Sequence, residues 1–195
     1  LPRLPLGPVR WRRLAGALVR PFREAATTFR TDHAFFWYEM NFMIYGTSFL
    51  MLGPVVPLYF VKRLDLSYEV ISASRVMIAT IGVALLSPLF GRLMDRINPV
   101  RLSTFSYATI AAYPAMLALI AVAFADRPAV GAYLAFAVYS VGNAGLNVTW
   151  NMGSIFFAPA GEGGHYQGVH VALVGIRGLI GPALGFVLYR LLGYQ

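Results

Sequence analysis

Three ionisable residues lie inside long apolar runs of this chain: Glu39, Arg75 and Arg177. A charge in hydrocarbon costs at least a few kcal/mol unless it meets a partner or water. Such residues therefore hold a structural pair, bind a charged solute or carry an ion. Glu39 lies on the helix face opposite Asn41, Tyr45 and Ser48. It reads as an interfacial charge that reaches headgroups or pairs with a loop Arg, or as a proton-coupling carboxylate. Arg75 shares a face with Gly82 and either snorkels to the interface, binds an anion or pairs with another helix. Arg177 falls near the middle of its run, on the His170 side. It fits an anion-binding or coupling role, or a pair with a carboxylate elsewhere.

Amides form a second pattern. Ser140, Asn143, Asn147, Asn151 and Ser154 step by three or four residues, within one arc of roughly 80° of a helix. Unpaired amides cannot face lipid, so this stripe faces protein or water. Lining a solute path and hydrogen bonding between helices are both open for Asn143 and Asn147.

Other chemistry is poorly represented. His33 and His165 fall in loops and His170 at a helix start, with no metal-ligand spacing among them. There is no Cys, hence no disulfide framework or thiolate metal site. The chain lacks a phosphate-cradling Gly-rich loop, and no nucleophile–base pair or acid–His cluster at depth is evident. No catalytic residue, metal or cofactor is expected, and an enzyme is disfavoured.

The elements that position these residues are membrane spans. Apolar residues make up 58% of the chain and charged residues 12%, against about 25% charge in a soluble domain. The net charge of +8 lies mostly at the ends of apolar runs, which argues against nucleic acid as a partner and for a lipid bilayer. Five runs of membrane-crossing length are expected near 35–60, 68–90, 102–124, 130–157 and 168–192. Pro54 and Pro57 should kink the first. Before them, residues 1–33 form a basic lead-in. Trp11, Leu14, Leu18, Phe22 and Ala25-Ala26 have amphipathic spacing, and a solvated basic tail is the other reading. Ten of the sixteen Lys and Arg residues fall on the N-terminal side of the spans and four on the other. That bias puts the N-terminus in the cytoplasm, in a bacterial inner (plasma) membrane.

The loop between the second and third runs, GRLMDRINPVRL, is short and basic. It resembles the G-x-L-x-D-R-x-G-R-R signature of major facilitator superfamily transporters. Gly91, Leu93, Asp95, Arg96 and Arg101 fit; Asn98 replaces a Gly and Val100 a basic residue. Asn tolerates the left-handed conformation a Gly would supply. The run GIRGLIGPALG resembles the Gly-Pro signature of the fifth helix of facilitator antiporters, without its closing Gly-Gly. There Gly178, Gly181, Pro182 and Gly185 would form a packing or bending seam.

The resemblance implies an all-α membrane protein, with five helices of a facilitator-type bundle. One six-helix half would be present without its last helix; the basic lead-in favours the C-terminal half. It implies secondary active transport of a small solute by alternating access, with the remaining half of the transporter as partner. Asp95 would gate, Arg96 and Arg101 would order the loop, and Asn41, Tyr45, Asn143, Asn147 and Arg177 would line the path. A non-transporting membrane scaffold, packed by its Gly faces, is the alternative.

Overall fold

The computed structural model describes residues 23–193. Trp11, Leu14, Leu18, Phe22 and the rest of the lead-in up to residue 22 lie outside that range. The described residues contain five helices long and apolar enough to cross a membrane: α1 (His33–Lys62), α2 (Tyr68–Met94), α3 (Pro99–Ala123), α4 (Pro128–Met152) and α5 (Gly163–Leu192). Residues 23–31 are also helical, and a 3₁₀ turn, Ile155–Phe157, joins α4 to α5.

The starts of the first three helices are written in the sequence. Asp32 caps α1, accepting a hydrogen bond from the Phe35 amide at 2.9 Å. Ser67 caps α2 through Val70. Asn98 caps α3 through Val100, with Pro99 at the first helical position, where a missing N–H costs nothing. Asn98 has φ −58°, so it serves as a cap and the left-handed role expected of it is not used. Both prolines of α1 are accommodated within one continuous helix.

The bundle is inverted relative to a soluble protein. Leu179 and Val122 are 81% and 80% exposed, while Glu39 and His170 are 1% and 0% exposed. Such a surface suits hydrocarbon, where helices gain by close backbone packing rather than by apolar burial. Accordingly α4 meets its neighbours through small residues: Ala132, Ala135, Gly142, Ala144 and Gly145 are buried. A Cβ on Gly142 would stand 2.8 Å from the Ile110 backbone nitrogen, so α3 and α4 touch main chain to main chain. α4 packs against α3 and α2, and α1 packs against α5. Phe60, Tyr113, Ile120 and Phe136 tie the Lys62 end together. Phe35, Tyr38, Phe42, Tyr166 and Val169 tie α1 to α5 at the other end.

Three helices depart from the expected outline. α4 ends at Met152, so Ser154 is off the helix and its hydroxyl donates to Gln167. α5 starts at Gly163, which places His170 two turns inside it rather than at its start. α2 is not a uniform α-helix: Ala73–Ile81 is π-helical, and such segments recur at functional sites. Arg75 lies within that stretch.

Candidate functional site

Glu39 and His170 face each other across the α1–α5 seam. Six residues separate Glu39 from the start of α1 and seven separate His170 from the start of α5, about 9–10 Å along each axis. The His170 Nδ1 lies 2.9 and 3.0 Å from the two carboxylate oxygens. Glu39 is therefore neither interfacial nor paired with a loop Arg, and an acid–His pair does exist at depth. The Phe42 ring meets the His170 imidazole edge-on at 4.8 Å, and the Trp150 ring lies 6.2 Å away.

Arg177, seven residues beyond His170, is on the same face of α5. Its Nη1 donates to the Phe42 carbonyl at 2.8 Å, and its guanidinium sits 4.8 Å over the Phe42 ring. It is 9% exposed. The guanidinium occupies the space where a Gly46 side chain would be, so a larger residue at 46 would displace Arg177 from this position. Glu39 is within its electrostatic reach, as are Tyr45 and Tyr107; the Tyr45 and Tyr107 rings are 4.9 Å apart. Tyr38 completes the wall, its hydroxyl donating to the Thr149 carbonyl at 3.0 Å.

Among the buried polar atoms of the described residues, Tyr107 Oη, His170 Nε2 and Arg177 Nε lack a hydrogen-bond partner, while Ser103 bonds to Tyr38. Orphaned buried polar groups are costly and rare. Their grouping around one acid–His pair marks this seam as the polar heart of the bundle.

The other singled-out residues are dispersed. Asn143 lines a cleft of about 430 Å³ toward the Lys62 end, with Arg75, Thr80, Tyr139, Phe49 and Gly53. Asn147 and Asn151 are exposed, and their amides donate to carbonyls of their own helix, Asn143 at 3.0 Å and Asn151's partner Asn147 at 2.7 Å. Asn41 is likewise exposed and donates to the Trp37 carbonyl at 2.7 Å. Helix-to-helix bonding by Asn147 is thus not seen among the described residues. Tyr45 is half-buried against Tyr107.

On α5, Gly181 and Gly185 face α1, and a Cβ on Gly185 would be 2.7 Å from the Met51 Cα. Pro182 lies inside the continuous helix. Gly178 is exposed, with open space around its Cβ position, so it does not belong to this contact.

At the opposite end, Gly91 and Leu93 form the last turn of α2, and Asp95 is its C-cap. Asp95, Arg96 and Arg101 are exposed. Asp95 and Arg96 line a cleft of about 600 Å³ with Met152, Ile155 and Phe156. Among the described residues Asp95 has no ion pair. A carboxylate at the negative end of α2 is unfavourably placed.

The described residues hold no group of three His, Cys, Asp or Glu that could bind a metal. No curated protein and no solved structure is significantly similar to the chain. Residues 4–182 match the profile of the Major Facilitator Superfamily. With five apolar helices, the second and third joined by the Asp95 loop, the chain is an integral membrane protein and belongs to the Major Facilitator Superfamily of transporters.

Proposed function

We propose that this chain forms part of a secondary transporter that moves a small solute by alternating access, with the remaining half of the transporter across from it. The observation that carries this reading is the exposed polar face of α1 and α4. Asn41, Asn147 and Asn151 stand on a surface otherwise built for lipid, held only by their own helices. Amides in that position call for a water-filled cavity or a second set of helices.

The cleft beside Asn143 supplies a place for the solute. Arg75 and the Tyr139, Phe49 and Phe136 rings fit an organic anion with an apolar body. Asp95 acts at the opposite end, where a second half would bring a helix N-terminus to its carboxylate. Two glycine-lined contacts, at Gly181 and Gly185, bring α5 close against α1, so that the two can move as one body when the halves rock. The N-terminal side of the bundle, with the Asp95 loop, faces the cytoplasm of a bacterial inner membrane in this reading, as the Arg distribution implies.

The test is solute uptake into vesicles that hold the intact protein, screened across small organic anions. Uptake abolished by Asn143→Leu and Asn147→Leu supports the reading. Variants that keep uptake and gain stability would make the amides packing groups.

A further inference from the structure

Building on the transport reading, we propose that the π-helical winding of Ala73–Ile81 builds a binding site for a planar aromatic monocarboxylate in the cleft beside Asn143. Arg75 holds the carboxylate there, and four aromatic rings hold the body.

The winding comes first. Ala73–Ile81 is π-helical, a rare form whose hydrogen bonds run from i to i+5. Residues five apart therefore sit nearly one above the other. In an α-helix they would point about 140° apart. Arg75 and Thr80 are five apart, and both line the cleft. Ordinary α-helical winding would turn one of them away from it. The π-helix thus brings a cation and a hydroxyl onto one wall.

The fold leaves the polar groups of this cleft unused. Among the described residues, the side chains of Arg75, Thr80, Tyr113, Tyr139 and Asn143 make no hydrogen bond and no ion pair. Five unpartnered polar groups in one cleft of a membrane bundle call for an occupant that satisfies them.

Charge and shape select that occupant. Arg75 is the one charged residue lining the cleft, and Tyr113 and Tyr139 lie within its electrostatic reach. One negative charge is matched; a second would go uncompensated, and an ammonium finds no carboxylate. The guanidinium fork fits a carboxylate at two points. The Phe49 and Tyr139 rings stack at 5.6 Å and 21°. Tyr113 lies 5.3 Å from Tyr139 and 5.4 Å from Phe136. Rings that brace one another lose little freedom when a guest enters. An aromatic guest gains about 2- to 10-fold in affinity over a saturated one of the same size. Thr80 and Asn143 remain to meet polar groups on its rim.

The test is calorimetric titration of the intact protein with 2-naphthoate. Binding is expected, weaker by about 2- to 10-fold for the saturated decahydro-2-naphthoate. 2,6-Naphthalenedicarboxylate and 2-naphthylmethylammonium should bind at least about tenfold more weakly, since each leaves a charge unpaired. Arg75→Gln should abolish binding, and Arg75→Lys should restore part of it, keeping the charge without the fork. A second readout tests the winding, using the lack of cysteine in this chain. In Thr80→Cys, 2-naphthoate should slow maleimide labelling several-fold; in Glu69→Cys, exposed in the first turn of α2, it should not. No binding of 2-naphthoate, binding indifferent to Arg75→Gln, preference for the dianion or the ammonium, or no protection of Thr80→Cys would each overturn the proposal. Binding with these preferences but no uptake would count against the transport reading alone. Uptake of a solute that Arg75→Gln leaves unchanged would count against this site alone.

Discussion

The His170 imidazole lies 2.9 Å from the Glu39 carboxylate, with both side chains sealed from solvent. The two residues belong to α1 and α5, which pack directly against each other, so this polar contact lies within the α1–α5 seam. A buried pair of this kind is weak evidence for stability, because desolvation offsets attraction; losing one partner is what costs.

His170→Leu should therefore destabilise the protein by about 3–5 kcal/mol, the range for an ion left buried without its partner. The double substitution Glu39→Leu with His170→Leu should recover most of that loss. Unfolding in detergent measures both. Equal stability of the single and double variants would show that Glu39 is satisfied some other way.

The α1–α5 contact separates two glycines on one helix. Gly185→Ala pushes a Cβ against the Met51 main chain and should cost about 1–3 kcal/mol by overpacking. Gly178→Ala meets open space and should stay within about 0.5 kcal/mol. Thermal unfolding of the two variants tests the seam directly, and similar losses would mean that α5 packs through another face.

The apolar runs and the Asp95 loop were legible because both are local. Span length and basic-loop position follow from composition and short spacing. The Glu39–His170 contact was not legible: its members are 131 residues apart, and no local spacing encodes which helices are neighbours. The error on His170 also came from reading Gly163-Gly164 as loop, when both open α5. The amide stripe was visible, but its direction was not. α4 turns its Ala and Gly face inward, which rotates Asn147 and Asn151 out and leaves Asn143 in the cleft. Arg177 was singled out by depth alone; the Gly46 gap that admits it is on another helix.

Asp95→Asn should slow transport and leave membrane insertion intact. The substitution keeps size and hydrogen bonding at the α2 C-cap and removes only the charge that would meet a helix N-terminus. Transport rates in vesicles, compared at equal inserted protein, check this. An unchanged rate removes the gating role.

The most direct measurement of the central claim is two-sided labelling of the polar face. This chain contains no cysteine, so Gly53→Cys and Asn147→Cys each introduce a unique site within it, one beside each end of the path. Impermeant maleimide is applied from either side of vesicles that hold the intact protein. Alternating access predicts that each site is reachable from one side only, and that conditions which speed labelling of one slow the other. Rates that vary independently, or an Asn147→Cys site that never reacts because lipid covers it, would contradict the account.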